Sequence, residues 1–185
     1  RFGAELLGKA NYARFGQEVP LLVKFIDARE DLSIQVHPDD ELARKRHGKS
    51  GKCEMWYVLE AEPGASLLTG FSRPIAPAEY ERRVADNTLT DVLNRQAIAS
   101  GDVFYLPAGR VHSIGKGSFI VEIQQSSDIT YRIYDFDRRD AAGNSRELHT
   151  ELAREAIDFE SSENSRITYA PENNQEVRLV TTPYF

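Results

Sequence analysis

The chain has 185 residues, of which 41 % are hydrophobic and 28 % charged, a balance that excludes a disordered or fibrous class and allows one well-buried domain. Its net charge of −6 argues against a nucleic-acid partner, because nucleic-acid-binding surfaces are usually basic. The sequence contains no apolar run near the roughly 20 residues that a membrane-spanning helix needs, so no membrane contact is expected.

The start of the chain and its single cysteine indicate the extent of the domain and the redox compartment of the protein. The sequence opens on Arg1 with neither a start methionine nor a signal-peptide pattern, so we expect residues 1–185 to be one domain cut from a longer chain. Cys53 is the single cysteine, which excludes an internal disulfide and suits a reducing compartment such as the cytoplasm.

From Pro20 onward, short apolar runs broken by turn residues predict a mainly β protein. Such a series of strands is typical of a sandwich or a barrel. The predicted strands lie in the segments LLVKFID (21–27), LSIQVH (32–37), EMWYVLEA (54–61), ASLLTGF (65–71), AIASGDVFYLPAG (97–109), SFIVEIQQ (118–125), DITYRIYDF (128–136) and EVRLVTTPYF (176–185).

Helical patterns are fewer. Residues 38–48 carry acidic residues first, basic residues later and Gly48 at the end, which matches the preferences of the helix dipole and of helix C-caps. Residues 77–94 predict a second helical insertion of one or two helices, and HTELAREAIDF (149–159) predicts another helix.

The segment LSIQVH alternates strictly between apolar and polar residues. In a strand, Leu32, Ile34 and Val36 share one face, and the side chains of Ser33, Gln35 and His37 share the other face. The polar face therefore either binds a ligand or simply faces water.

Gln35, His37, Glu54 and His112 are candidate metal ligands. Imidazole and carboxylate groups are good zinc ligands, and the i, i+2 spacing of Gln35 and His37 places them side by side. Each also has an ordinary explanation, since His112 could cap a turn and Glu54 could be solvated. His47 suits the C-terminal end of a helix and is treated as structural.

The segment GDVFYLPAGRVH (101–112) has the form of the second signature of the cupin superfamily. Gly101 supplies a turn, the strand VFYL follows, and the residues PAG reverse the chain so that His112 returns toward the barrel. The first cupin signature departs from its usual form, because Gln35 replaces a histidine and an insertion of residues 38–51 delays Glu54.

The segments SIQVHPDDELARKRHGKSGKCEMWYVLEAEPGA and LPAGRVHSIGKGSFIVEIQQSSDITYRIYDFDRRD closely resemble type I mannose-6-phosphate isomerase (phosphomannose isomerase), a zinc cupin, over roughly residues 17–140. The resemblance implies a cupin-type jelly-roll barrel with a few short helices. It also implies a Zn²⁺ ion on Gln35, His37, Glu54 and His112. The implied reaction interconverts mannose 6-phosphate and fructose 6-phosphate by proton transfer through a cis-enediol.

Such an isomerase needs acid/base groups near the sugar carbons and a basic clamp for phosphate. The resemblance singles out Arg132, whose planar guanidinium suits phosphate or enediolate contacts, and makes Glu122 and Lys52 further catalytic candidates. Arg132 could instead form a salt bridge with Asp128 or Asp135, and Glu122 could be a structural glutamate buried beside cations.

Ser33, Asp128 and Lys116 are candidate substrate-binding residues. Ser33 shares the polar strand face, and Lys116 follows His112 closely enough to reach a phosphate. Alternatively, Asp128 only stabilises the SSD turn and Lys116 is a solvated loop lysine.

Two other functions compete with the isomerase. A non-catalytic sugar-phosphate-binding cupin would keep the pocket without turnover, although it would have no chemical need for Arg132 and Lys52. A dioxygenase would favour histidine-rich iron ligands, which Gln35 does not match. The expected partner is a small sugar phosphate, and the sequence leaves the oligomeric state open.

Overall fold

Two five-stranded antiparallel sheets form most of the structure, a computed structural model that describes residues 3–160, 164–171 and 175–185. The first sheet has the spatial order β1 (Leu21–Ala28), β8 (Ser118–Gln125), β3 (Glu54–Ala61), β6 (Val103–Leu106) and β10 (Arg166–Ile167). The second has the order β5 (Leu93–Ala97), β4 (Ser66–Phe71), β7 (His112–Ile114), β2 (Ile34–Val36) and β9 (Tyr131–Tyr134).

The two sheets share an apolar core. Trp56 and Phe104 from the first sheet are fully buried in one cluster with Leu67 and Ile114 from the second. Inward-facing residues from both sheets are how a β-sandwich or jelly roll excludes water from its interior. The predicted mainly β fold is confirmed.

A second apolar core covers the opposite face of the second sheet. Ile34 and Val36 of β2 and Ile133 of β9 pack in one cluster with Tyr80 and Ala153. Tyr80 belongs to α4 (Pro77–Ala85) and Ala153 to α5 (Thr150–Ala156). Because successive side chains of a strand point to opposite faces, the residues next to these in the sequences of β2 and β9 point into the sandwich.

Helix α3 (Asp40–His47) follows β2 directly. The side chain of Asp39 accepts the N–H of Leu42 at 2.8 Å as its N-cap, and Gly48 ends the helix in the left-handed conformation with φ +66°. The remaining helices are α1 (Gly3–Leu7), α2 (Lys9–Phe15) and a 3₁₀ turn at Leu89–Val92. Within the described residues, no helix is both long and apolar enough to cross a membrane.

Two local predictions were wrong. Residues 93 and 94 were assigned to a helical insertion, but β5 begins at Leu93 and pairs with β4. The predicted strand at 176–185 is absent from the described residues 176–185. There the hydroxyl of Thr182 accepts the N–H groups of Tyr184 and Phe185, which forms a turn around Pro183 instead of a strand.

Candidate metal centre

Strand pairing brings the polar residues of the second sheet into one row. The register pairs Thr69 with His112, His112 with Gln35, and Gln35 with Arg132. Cross-strand partners share a face, and this face is opposite to Ile34 and Ile133 in the helix-covered core. The row therefore faces the interior of the sandwich.

His37, Glu54 and His112 form a buried cluster whose potential ligand atoms all lie within 4.8 Å of one another. The Nε2 atom of His37 is 3.2 Å from Oε1 of Glu54, and the Nε2 atom of His112 is 3.6 Å from Oε2. The amide nitrogen of Gln35 lies 3.3 Å from Nε2 of His112. Rotating that amide by half a turn would present its oxygen to the same centre.

Three of the atoms that face the centre of this cluster lack hydrogen bonds to any described residue. Nε2 of His37 and both carboxylate oxygens of Glu54 are buried and make no hydrogen bond with any described residue. A buried carboxylate is normally paired or coordinates a metal; Lys52 lies 3.2 Å from one oxygen of Glu54, yet both oxygens still lack a hydrogen bond to any described residue. The donor set of two imidazoles, one carboxylate and one amide fits a divalent cation such as zinc.

The protonation states of the cluster also suit a metal. Backbone carbonyls accept hydrogen bonds from Nδ1 of His37 at 2.9 Å and from Nδ1 of His112 at 2.8 Å, so that Nε2 of each ring carries a lone pair. Burial lowers the pKa of His37 to about 4 and also lowers the pKa of His112. Both imidazoles are therefore neutral near pH 7.

Glu54 is held as a carboxylate. Burial alone would raise its pKa, but the neighbouring His37, His112 and Lys52 hold the pKa well below its usual value. Lys52 is buried, and its Nζ atom lies 3.2 Å from Oε1 of Glu54. This places Lys52, a predicted catalytic residue, beside the cluster.

A cavity of about 860 Å³ adjoins the cluster at Lys52. Four cationic side chains and two carboxylates contribute to its lining: Lys24, Arg44, Lys49, Lys52, Glu18 and Asp128. A basic cavity is notable in a chain with a net charge of −6, and it would attract an anionic ligand to a position beside Lys52.

Glu122 lies in a second buried network beside the cavity. Nζ of Lys24 donates to Oε1 of Glu122 at 2.7 Å and also to Oε1 of Gln124, and Nε1 of Trp56 donates to Oε2 of Glu122 at 3.1 Å. Burial and the nearby charge of Glu54 raise the pKa of Glu122. A carboxyl group with a raised pKa is suited to proton transfer.

Lys24 is a further site residue, and it was not predicted from the sequence. It pairs with Glu122 across β1 and β8, and its amine reaches both the cavity lining and the buried carboxylate. The available signal was a lone lysine in the otherwise apolar start of LLVKFID.

Arg132 lies at the end of the polar row but makes its own contacts. Its Nη1 atom donates to the carbonyl of Glu147 at 3.0 Å, and its Nε atom is buried without a hydrogen bond to any described residue. The alternative salt bridge of Arg132 is not formed, because Asp128 pairs with Lys49 and Asp135 pairs with Arg138 and Arg146.

The structure separates the three predicted substrate-binding residues. Asp128 is exposed and lines the cavity beside Lys49. Ser33 is buried just before β2 and does not line this cavity. Lys116 lines a separate depression of about 460 Å³ together with Asp27 and Glu60.

Comparison with known proteins finds similarity to one family. The model of the type I phosphomannose isomerase catalytic domain matches residues 3–72. A mannose-6-phosphate isomerase of Streptococcus mutans is 38 % identical over 182 residues, which cover 98 % of this chain and 56 % of that protein. Mannose-6-phosphate isomerase ManA of Bacillus subtilis is 42 % identical over 147 residues, which cover 79 % of this chain and 46 % of that protein.

The fold matches a solved structure as well. The crystal structure of mannose 6-phosphate isomerase from Bacillus subtilis superposes with a TM-score of 0.83 at 33 % identity, covering 98 % of this chain and 57 % of that one. The predicted cupin-type barrel with a few short helices is confirmed. The chain spans about half the length of the curated relatives that it matches.

Proposed function

Because this chain is homologous to the type I phosphomannose isomerases, we propose that it carries a mannose-6-phosphate isomerase site. The reaction would interconvert mannose 6-phosphate and fructose 6-phosphate by proton transfer through a cis-enediol. The observation that carries the proposal is the buried cluster of His37, Glu54 and His112 next to a basic cavity, in which Nε2 of His37 and both carboxylate oxygens of Glu54 make no hydrogen bond with any described residue.

We propose Zn²⁺ as the cofactor, held by Gln35, His37, Glu54 and His112. Oxygen and nitrogen ligands of this kind suit zinc, and the two neutral imidazoles need lose no proton to bind it. When bound, zinc would polarise the sugar oxygens as a Lewis acid and lower the pKa of a bound water.

Side chains of this protein would carry out the proton transfer between C1 and C2 of the sugar. Glu122 is our candidate acid/base group, because burial raises the pKa of its carboxyl group and Lys24 donates a hydrogen bond to it at 2.7 Å. Lys52, beside Glu54 and in the cavity lining, would stabilise negative charge that develops on the sugar oxygens. Arg132 would add a second positive charge from the end of the polar row.

The same proposal covers the extent of the domain, its partner and its cellular location. The isomerase domain would comprise residues 1–185, with helical insertions at 38–48 and 77–92. Its partner would be a small sugar phosphate, without a nucleic-acid or membrane partner. A reducing cytoplasmic location suits the buried thiol of Cys53.

A coupled isomerase assay on the full-length, zinc-loaded protein tests this proposal. We expect conversion of mannose 6-phosphate to fructose 6-phosphate, and we expect His112→Gln to lose it. His47→Gln is the matched control, because His47 contacts the hydroxyl of Tyr131 at 2.8 Å and does not belong to the cluster. Binding of mannose 6-phosphate without turnover would support the non-catalytic alternative and contradict the enzyme.

A further inference from the structure

The four cations of the cavity differ in how their charges are used. Lys24 pairs with the buried carboxylate of Glu122 at 2.7 Å, and Lys52 lies 3.2 Å from the buried carboxylate of Glu54. Each of these amines therefore already balances a buried negative charge. Their positive charge is only partly available to a ligand.

Lys49 is occupied in a different way. Its Nζ atom lies 2.9 Å and 3.0 Å from the two carboxylate oxygens of Asp128, and both side chains are more than half exposed. Exposed ion pairs of this kind are weak, because water screens the charges and two long side chains must be held in place. A stronger anion can therefore replace Asp128 at Lys49.

Arg44 is the remaining cation of this lining. Its side chain makes neither a hydrogen bond nor an ion pair with any of the residues that the structure describes. A guanidinium group in a cavity wall with five free donors is suited to bidentate contact with a phosphate. Lysine would offer only a point charge at this position.

The backbone of Arg44 is held by the anchoring of helix α3, and its side chain is exposed. The carboxylate of Asp40 accepts the N–H of Gly51 at 2.8 Å and Nε2 of Gln125 at 3.2 Å, which ties the start of the helix to β8. Gly51 fits only without a side chain, since a Cβ atom there would lie 2.4 Å from the carbonyl carbon of Asp39. Arg44 therefore projects from a well-supported helix.

Arg44 and Lys52 line the same cavity, and Lys52 also contacts the cluster. A phosphorylated sugar in that cavity can thus place its reacting carbons near Lys52 and its phosphate toward helix α3. Arg132 is less suited to the phosphate, because its guanidinium donates to the carbonyl of Glu147 and does not line this cavity.

We propose that Arg44 is the residue that selects the phosphate of the substrate, and that Asp128 competes with this phosphate for Lys49. The inference rests on the proposed function for the identity of the sugar phosphate. It assigns the phosphate end of the site to helix α3 and makes Asp128 an inhibitor of substrate binding instead of a contact for the substrate.

Calorimetric titration of the full-length, zinc-loaded protein with mannose 6-phosphate and with free mannose tests the proposal. We expect Arg44→Gln to weaken mannose 6-phosphate binding roughly 10- to 100-fold, the loss of one charge-assisted contact, and to leave mannose binding unchanged. Lys45→Gln, the same change on the next residue of the helix, should bind both sugars as the wild type does. Asp128→Asn should bind mannose 6-phosphate about two- to fivefold more tightly, because an exposed competing pair is lost.

Three results would overturn this inference. Arg44→Gln binding mannose 6-phosphate within twofold of the wild type would remove Arg44 from the phosphate site and leave the isomerase proposal standing. Weaker binding by Asp128→Asn would show that Asp128 contacts the substrate. A wild-type protein that binds neither sugar would contradict both this inference and the proposed function.

Discussion

Replacing Lys24 with methionine tests the network that holds Glu122. The Glu122 side chain is 5 % exposed and the Lys24 side chain 39 %, so the pair is only partly buried. Breaking a buried pair costs about 3–5 kcal/mol and breaking an exposed one about 0–1 kcal/mol. Since Trp56 would still donate to Glu122, we expect Lys24→Met to lower the free energy of unfolding by about 1–2 kcal/mol at pH 8.

A double-mutant cycle with Glu122→Gln isolates the interaction. Urea denaturation of metal-free protein should give a coupling energy of about 1 kcal/mol between Lys24 and Glu122. Lys116→Met is the matched control, since Lys116 lines the separate depression, and its stability should change by no more than about 0.5 kcal/mol. The reasoning would be refuted if the two single substitutions had additive effects on the free energy of unfolding, or if Lys24→Met left that free energy unchanged.

The remaining predictions concern turnover and pH. Arg132→Met should retain zinc, but its turnover should fall about 10²- to 10³-fold, because one electrostatic contact to the reacting oxygens disappears. His112→Ala should lose both zinc and activity. Metal analysis and the coupled assay measure these effects, and near-normal turnover of Arg132→Met would make Arg132 structural. Because burial raises the pKa of Glu122 above 4.5, the stability that its protonated form contributes is complete below about pH 4.5 and is lost as pH rises through the folded-state pKa. Glu122→Gln should therefore gain stability relative to the wild type between pH 4.5 and pH 8 in urea titrations, and a constant difference would contradict this assignment.

Much of the fold and part of the cluster could be predicted because they depend on local pattern. The alternation in LSIQVH fixes Gln35 and His37 on the face opposite Ile34 and Val36, whatever the rest of the chain does. The turn residues before His112 likewise predict where that strand begins. Strand periodicity and turn chemistry act over a few residues, so a sequence displays them directly.

The cavity could not be predicted because it depends on strand register and on loops distant in sequence. Lys24 meets Glu122 only through the pairing of β1 with β8, 98 residues further along the chain. The ion pair of Lys49 with Asp128 joins two loops in the same way. Lys116 is close to His112 in sequence, yet the structure places it in another depression.

The local errors have physical causes as well. The last segment was predicted as a strand from its apolar residues, but Pro183 lacks an N–H for a sheet ladder and the Thr182 hydroxyl captures the N–H groups that follow. Residues 93 and 94 were predicted as helix, whereas β5 begins at Leu93 on the edge of the second sheet, a choice that tertiary pairing determines.

The most direct test of the metal centre is zinc analysis of the gently purified protein, followed by X-ray absorption at the zinc edge. The proposal predicts about one zinc per chain with only nitrogen and oxygen ligands at about 2.0–2.2 Å, and loss of that zinc in Glu54→Gln but not in His47→Gln. Protein that carries no zinc and takes up none when zinc is added, or a sulfur ligand from Cys53 in the absorption spectrum, would contradict it.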